Sequence, residues 1–309
     1  MLLIYLLTHN RPVQAVEAIE SILAQSDSRF ELIVSDNSDT DELRQLIGDK
    51  TRLTYIKRPI GLSGIEHGNL CLSEIEKTDG CQYFTLFHDD DLMLSNYVGN
   101  FWRAEALYPT AVAFGANAQV EQHKQFTELS FKAARDYLGP FNPNNLLRRY
   151  FSHHQLGIAP LPSYIYRKSA LHGLRFDKAG GKYGDVQWLS RWAIRGPVIW
   201  IAEPMMIYRM HESNDGNIES RHDRFRFLAY LKRSGEIFSP EILGDYRNFF
   251  YKKLLSSLKD RGQMKAYQLF SQYLAVHRFQ RLSRASFYRA LLNKSWTKIY
   301  LRIHRKIGA

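Results

Sequence analysis

The first 120 residues alternate between short apolar runs and amphipathic segments. Runs of β-favouring residues predict strands, whereas apolar residues that recur every three or four positions predict helices. The predicted strands are residues 2–7, 31–35, 53–57, 83–87 and 111–120. The predicted helices between them are residues 13–25, 41–47, 63–77 and 96–107. Strands that alternate with helices over short connections indicate an α/β fold with a parallel sheet covered on both faces.

The chain is less regular from there to about residue 220. Strands are predicted at residues 163–167, 198–201 and 205–208. An amphipathic helix opens at Asp185, directly after a glycine-containing run, and continues to about residue 195. From residue 220 the pattern is helical to the end, with breaks near Pro240 and Gly262. We therefore expect an α/β domain over residues 1–219 and a helical region over residues 220–309.

Charge separates these two regions. The formal net charge is +11, yet residues 221–309 alone hold 20 lysines and arginines against five acidic residues. After Lys265 nine basic residues follow and no acidic one. Such asymmetry predicts an anionic partner for the helical region, either a membrane surface or a polyanion. The simpler alternative is a helical subdomain that packs on the rest of the protein and leaves its cations in solvent.

Composition excludes several classes of protein. Apolar residues make up 45% of the chain and charged residues 24%, which is typical of a globular protein. No segment reaches the run of about 18 apolar residues that crosses a bilayer. The apolar opening lacks a basic leader and a cleavage site, so residues 1–7 indicate a strand rather than a signal peptide. Cys71 and Cys81 fit neither a disulfide framework nor a zinc site, and we expect buried thiols in a cytoplasmic protein.

The predicted strand at residues 83–87 ends in His88 and three consecutive carboxylates, Asp89 to Asp91. Like charges at the end of a buried strand repel each other and are costly unless a positive charge lies among them. Hard oxygen ligands suit Mg²⁺ or Mn²⁺, so this stretch predicts a divalent metal site. The alternative is a solvated acidic turn that precedes the next helix.

Known phosphate-binding loops are missing from the start of the chain. There is no G-x-G-x-x-G after the first predicted strand and no G-x-x-x-x-G-K, so the sequence predicts neither a dinucleotide site nor a P-loop. Polar residues take that place, from Thr8 to Pro12. In a sheet of this kind, ligands bind at the carboxyl ends of the strands, where Thr8, Asp36 and the acidic stretch all fall.

Six short motifs occur in order along the chain. They are Thr8-His9-Asn10-Arg11, Ser35-Asp36-Asn37-Ser38-Asp39, Gly61 with Gly68-Asn69, His88-Asp89-Asp90-Asp91, Gly184-Asp185 and Tyr208-Arg209-Met210-His211. Together they resemble the motifs of the family-2 glycosyltransferases, which are nucleotide-sugar-dependent enzymes with the GT-A fold. The resemblance runs from residue 2 to about residue 215, some two-thirds of the chain. It implies a Rossmann-like GT-A domain followed by a helical, basic C-terminal extension.

The resemblance also implies roles for the matching residues. The residues expected to bind the nucleotide sugar are Thr8, Asn10, Arg11, Asp36, Asn69, Asp89 and Arg209. The expected ligands of Mn²⁺ or Mg²⁺ are Asp90, Asp91 and His211, with Asp90 as the principal one. Asp36 is expected to hold the nucleotide base, and Asp185 is the expected catalytic base. His88 stands where the first aspartate of the family motif is more usual, which leaves the nucleotide open, although a UDP-sugar is the expected donor.

The implied reaction is inverting, metal-dependent transfer of a single sugar to a saccharide hydroxyl. Residues 1–120 would form the nucleotide-sugar half and residues 121–219 the acceptor half. A surface-polysaccharide intermediate on a polyprenyl diphosphate is the expected acceptor. We expect a cytoplasmic enzyme, with peripheral attachment to the inner face of the cytoplasmic membrane as an option, and no nucleic-acid partner. Processive relatives carry Q-x-x-R-W, and the likeness of Gln187 and Arg191-Trp192 to it is taken as accidental.

Two other classes of protein remain as alternatives. A nucleotidyltransferase has a similar architecture, but its glycine-rich basic first loop is missing here. A non-catalytic module could bind a membrane or a polyanion through the basic region, but the acidic motifs would then have no role. Turnover of a nucleotide sugar separates both alternatives from a glycosyltransferase.

Overall fold

The computed structural model describes residues 1–48, 50–130, 136–139, 146–147, 159–211, 221–234 and 238–268. Its strands are β1 (Leu2–Thr8), β2 (Phe30–Asp36), β3 (Thr54–Lys57), β4 (Tyr83–His88), β5 (Leu92–Met93), β6 (Ala113–Gln122), β7 (Gln125–Leu129), β8 (Tyr137–Gly139), β9 (Tyr164–Arg167) and β10 (Val198–Met210). Its helices are α1 (Pro12–Leu23), α2 (Glu42–Ile47), α3 (Gly64–Lys77), α4 (Tyr97–Leu107), α5 (Gly184–Ala193), α6 (Arg221–Arg233) and α7 (Pro240–Asp260). The nine elements predicted over the first 120 residues are all present, within two residues at each end.

The first four long strands form a parallel unit in the order β3-β2-β1-β4. The chain passes from β1 to β2 and β3 on one side, and then returns through α3 to β4 on the other side of β1. Connections that leave a strand in opposite directions create a crevice at its carboxyl end. The crevice of this sheet therefore lies between the ends of β1 and β4.

The rest of the sheet is mixed, so the prediction of a parallel sheet is correct for β1 to β4 and for the pair of β6 and β10, and wrong for the other pairs. β9 lies between β4 and β6 and is antiparallel to both. β10 is parallel to β6 and antiparallel to β5 and β8. A crossover helix between two strands indicates that they are parallel. An irregular connection does not indicate the direction of the next strand, so the sequence did not predict the orientation of β9.

The two strands predicted at residues 198–201 and 205–208 form the single strand β10. Its register against β6 shifts on both sides of Pro204. Proline cannot donate a hydrogen bond to the sheet, so the sequence around Pro204 predicts a break between two strands. In the structure β10 continues through this position with a bulge.

Helices cover both faces of the sheet. On one face α1 and α4 pack through residues such as Ile19 and Phe101. On the other face α3 and α5 pack through Leu72, Trp188 and Trp192. The helical region joins this second core, because side chains of α6 and α7 belong to the same buried cluster.

Both cysteines are buried free thiols, as the sequence predicts. No helix in the described part of the chain is long and apolar enough to span a bilayer.

Candidate active site

Three loops meet at the carboxyl end of the parallel unit. The register of β1 places Thr8 opposite Asp36 of β2 and Leu7 opposite His88 of β4. The polar residues that follow these three strands therefore converge on the crevice between β1 and β4. The short strand β5 continues the acidic stretch and pairs with β10, with Leu92 opposite Ile207. This pairing carries the end of β10 to the same place.

Asp90 is the centre of a charged network. Its Oδ2 accepts a hydrogen bond of 2.7 Å from Nη1 of Arg11 and lies 3.1 Å from Nε2 of His211. The same Arg11 nitrogen donates to Oδ1 of Asp89 at 3.2 Å. The other oxygen of Asp89 accepts the backbone N–H of His9. One arginine thus bridges two neighbouring carboxylates.

The three carboxylates differ in their pKa. Burial acts to raise the pKa of Asp90, but its interactions with His88, Arg11 and His211 outweigh burial and hold the pKa below its ordinary value. Burial raises the pKa of Asp89, and the charge of Asp90 raises it further. Burial raises the pKa of Asp91 well above its ordinary value, with Asp90 adding to the effect. The cluster therefore holds one firmly ionised carboxylate between two whose charge is costly.

The cluster fits a hard divalent cation. Ligand atoms of His88, Asp90 and Asp91 all lie within 4.8 Å of one another. Oδ2 of Asp91 is buried and has no hydrogen-bond partner among the residues that the structure describes. A buried carboxylate oxygen without a partner is costly unless a cation lies beside it. Carboxylate oxygens with one imidazole are a suitable set for Mn²⁺ or Mg²⁺.

This grouping differs from the ligand set predicted from sequence in one residue. His88 joins Asp90 and Asp91 in the cluster, whereas the predicted third ligand, His211, contacts the site through its hydrogen bond to Asp90. The sequence signal for His88 is its position as the last residue of β4, directly before the acids.

Arg209, near the end of β10, also contacts the acidic stretch. Its backbone N–H donates to Oδ1 of Asp91 at 3.1 Å. Its guanidinium group donates to the carbonyl oxygen of Asp90 and to the carboxylate of Glu17 on α1. The guanidinium group of Arg209 is therefore held beside the cluster, and an arginine of this kind is suited to bind an anion.

The loops after β1 and β2 form one connected wall. The backbone N–H of Asn10 donates to Oγ of Ser38 at 2.7 Å, and its side-chain amide exchanges hydrogen bonds with Asp39. Asp36 is fully buried, and its two oxygens accept from the Ser38 N–H at 2.8 Å and from the Tyr55 hydroxyl at 2.7 Å. In this state the carboxylate of Asp36 holds its own loop, and its contact with a nucleotide base stays a prediction.

Two predicted site residues lie on helices of the other face. Both ends of the Asn69 amide bond to the backbone of Phe176, which ties α3 to the segment that precedes α5. Asp185 stands in the first turn of α5, half-buried, and its Oδ1 accepts the Val186 N–H at 2.7 Å. The structure thus brings the other nine predicted residues together at the crevice and holds these two in separate hydrogen bonds.

The fold and this site define a glycosyltransferase of the GT-A class. The family model described as Glycosyl transferase family 2 matches residues 4–174, more than half of the chain. The chain belongs to this family, and the prediction of a family-2 glycosyltransferase is confirmed. A search among curated proteins finds no significant match.

Solved structures show the same fold. TarS 1–349 from S. aureus superposes with a TM-score of 0.61 at 13% identity, over 81% of this chain and 72% of that chain. The TarS 1–349 complex with UDP-GlcNAc gives a TM-score of 0.61 at 12% identity, over the same shares of 81% and 72%. The mannosyltransferase PcManGT from Pyrobaculum calidifontis, in complex with GDP-Man and Mn²⁺, gives 0.53 at 16% identity, over 96% of this chain and 83% of that chain. At these identities the likeness establishes the fold alone.

Proposed function

We propose that this glycosyltransferase transfers one sugar per encounter from a nucleotide-diphospho-sugar to a saccharide hydroxyl, with a divalent cation and with inversion. The observation that carries the proposal is the buried Asp91 oxygen without a partner, beside Asp90 and His88 in the crevice between β1 and β4. A solvated acidic turn would leave that oxygen in water. The position is also where an α/β sheet of this topology binds its ligand.

The cation has a definite task in this reaction. Bound by Asp90 and Asp91, with His88 or His211 beside them, it would neutralise the negative charge that grows on the leaving diphosphate. The lowered pKa of Asp90 keeps this carboxylate ionised, so the site carries a negative charge that can bind the cation. Arg209, fixed at the rim by Glu17 and Asp90, supplies a further positive contact for the diphosphate.

The acceptor hydroxyl is a weak nucleophile and needs a base. We assign this role to Asp185, which opens α5 directly after the kinked segment Lys178–Tyr183. A carboxylate on the face opposite the leaving diphosphate would take the acceptor proton while the sugar carbon is attacked. Attack from that face inverts the configuration of the sugar. Loss of the proton and departure of the diphosphate then need no covalent intermediate with the enzyme.

The proposed donor is a nucleotide sugar, and the identity of its base is not assigned. TarS is known here in complexes with UDP-GlcNAc and UDP, and the mannosyltransferase in a complex with GDP-Man. Those ligands belong to proteins of at most 16% identity, so they support a nucleotide-sugar donor without choosing the base. We keep a UDP-sugar as the first candidate.

The acceptor is proposed to lie against residues 123–165 and the glycine run at residues 180–184. Much of the first segment lies outside the described residues, so this assignment rests on sequence. A saccharide on a polyprenyl diphosphate remains the proposed acceptor, because the basic C-terminal region would hold the enzyme near an anionic membrane.

A panel of UDP-, GDP- and TDP-sugars, scored by release of nucleoside diphosphate, tests the function. We expect release with one or a few donors, dependence on Mn²⁺ or Mg²⁺, and loss on addition of EDTA. Asp90→Asn serves as the inactive control, because it removes the charge and keeps the volume. Release of inorganic pyrophosphate from a nucleoside triphosphate and a sugar phosphate would instead identify a nucleotidyltransferase. Binding without turnover of any donor would leave a binding module.

A further inference from the structure

The guanidinium group of Arg11 lies where the acidic cluster needs a cation. Its Nη1 contacts Oδ1 of Asp89 at 3.2 Å and Oδ2 of Asp90 at 2.7 Å. Asp90 is also a member of the group that fits a divalent ion. Arg11 and that ion would therefore compete for the carboxylate of Asp90.

The base of this arginine is fixed while its end is accessible. The carbonyl oxygen of Arg11 accepts the first hydrogen bond of α1 from Ala15 at 2.9 Å, and Pro12 follows it as the first helical residue. The preceding residue, Asn10, is bonded to Ser38 and Asp39. The Arg11 side chain nevertheless keeps 31% of its surface exposed. Its long side chain can turn without any movement of the backbone.

A divalent ion changes the balance of charge around Arg11. With the ion bound, Asp89 and Asp90 face a double positive charge, and the single charge of Arg11 becomes a repelled neighbour. A donor bound in the crevice would supply, in its diphosphate, the anion that could then receive the guanidinium, and Arg11 directly precedes the start of α1. Arginine binds phosphate oxygens through paired N–H groups, and a helix start adds favourable dipoles.

We propose that Arg11 is the internal counter-ion of the metal site, and that the divalent ion displaces it toward the diphosphate of the donor. Metal and donor binding are then coupled through this one side chain. The inference rests on the proposed function, since it needs both ligands to bind in the crevice. Coupling of this kind is reciprocal, so each ligand changes the affinity of the other by the same factor.

Arg11→Gln separates the two states of the arginine. The variant lacks the competing charge, so Mn²⁺ alone should bind about tenfold more tightly than to the wild type. With saturating UDP, where Arg11 has already left the carboxylates, Mn²⁺ affinity should stay at the wild-type value. Reciprocity then requires Mn²⁺ to strengthen UDP binding about tenfold less in the variant than in the wild type. Arg11→Lys keeps the charge and should bind Mn²⁺ alone nearly as the wild type does.

Isothermal titration calorimetry on the full chain measures all of these affinities, with GDP replacing UDP if the donor panel selects it. The matched control is Arg103→Gln, which removes a surface arginine that pairs with Glu203. It should change none of the affinities.

An Arg11→Gln variant that binds Mn²⁺ no more tightly than the wild type, or more tightly to the same extent with and without UDP, would overturn the inference. Mn²⁺-dependent turnover of the wild type beside either result would leave the proposed function in place. If the wild type binds no Mn²⁺ and turns over in EDTA, the metal-dependent function fails together with the inference.

Discussion

At the scale of single residues, the aspartates of this site differ in pKa because their surroundings differ. Asp90 receives Arg11 and His211 and has a lowered pKa, whereas the neighbouring Asp91 is buried and has a raised one. Asp90 is thus suited to hold its charge before any ligand binds. Asp91 gains most from a cation, because its charge is otherwise the most costly of the three.

Removal of the Asp90 charge should abolish metal-dependent turnover. We expect Asp90→Asn to retain the fold, because the amide keeps the volume of the carboxylate and can still accept from Arg11. Circular dichroism and thermal unfolding check the fold, and nucleoside diphosphate release checks the activity. Near-normal turnover of Asp90→Asn or Asp90→Ala in EDTA would show that the metal site is wrongly assigned.

Asp185→Asn should lower kcat by roughly 10²–10⁴, the usual contribution of a general base, with little change in donor affinity. The amide oxygen can still accept the Val186 N–H, so the first turn of α5 should be unaffected. Steady-state kinetics with varied donor measure both quantities. A large loss of donor binding with intact kcat would assign Asp185 to the nucleotide instead.

At the scale of elements, a buried polar network joins β2, β3 and α3 beneath the site. Oγ of Ser35 contacts Nε2 of His67 at 2.8 Å and accepts from Nε of Arg58 at 2.7 Å. Arg58 also forms two short hydrogen bonds with Glu74. Ser35 directly precedes Asp36, so this network fixes the strand end on which the second loop of the site depends.

The network predicts a loss of stability in mild acid. Burial, aided by the charge of Arg58, lowers the pKa of His67 from 6.5 to about 4. Below pH 6.5 the unfolded chain binds a proton at this residue and the folded chain does not, down to about pH 4. The contribution of His67 to the free energy of unfolding is therefore complete above pH 6.5 and is lost as the pH falls toward about 4.

His67→Gln should remove that part of the pH dependence. Between about pH 7.5 and pH 5, the free energy of unfolding of the wild type should fall by about 2 kcal/mol more than that of the variant. Urea unfolding at several pH values measures the difference. His222→Gln is the control, because His222 is exposed on α6. Parallel pH curves for wild type and His67→Gln would contradict the assignment.

At the scale of the whole molecule, the start of the helical region packs on the α/β domain. The ring of Phe227 on α6 packs 5.0 Å from that of Tyr183, directly before α5. Gly181 in the same segment has a φ of +54°, and a Cβ there would meet Asp223 of α6 at 2.6 Å. The helical region therefore contacts the segment that precedes Asp185, as the packing alternative for this region requires.

The basic end of the chain should bind anionic membranes. Residues 269–309 lie outside the described residues, so this prediction rests on sequence. Each lysine or arginine near an anionic surface contributes about 1 kcal/mol, and salt weakens the attraction. The interleaved aromatic residues would lie at headgroup depth. They are Tyr267, Phe270, Tyr273, Phe279, Phe287, Tyr288, Trp296 and Tyr300.

Flotation with liposomes tests this prediction. Binding should need anionic lipid, weaken with salt and fall when four arginines become glutamine, namely Arg278, Arg281, Arg284 and Arg289. The control carries four such changes at Arg29, Lys50, Arg52 and Arg103. Equal binding to neutral and anionic vesicles, or none to either, would leave the basic region as structure alone.

The sequence by itself determined what depends on neighbouring residues. The period of apolar positions places β1 to β4 and their helices, because each strand or helix must bury one face. The acids after β4 and the polar residues after β1 and β2 mark the site, because such groups are tolerated only at strand ends or beside a partner. The six motifs in their order indicated the glycosyltransferase family.

Only the tertiary structure decided which of these groups meet. Arg11 and Asp90 are 79 positions apart, and Arg209 and Asp91 are 118 apart. Their contacts depend on the register of β1 with β4 and of β5 with β10, which no local pattern encodes. Pairing with β4 and β6 likewise makes β9 antiparallel, and the pairing of β1 with β4 brings Arg11 onto the carboxylates, because each contact joins residues that lie far apart in the chain.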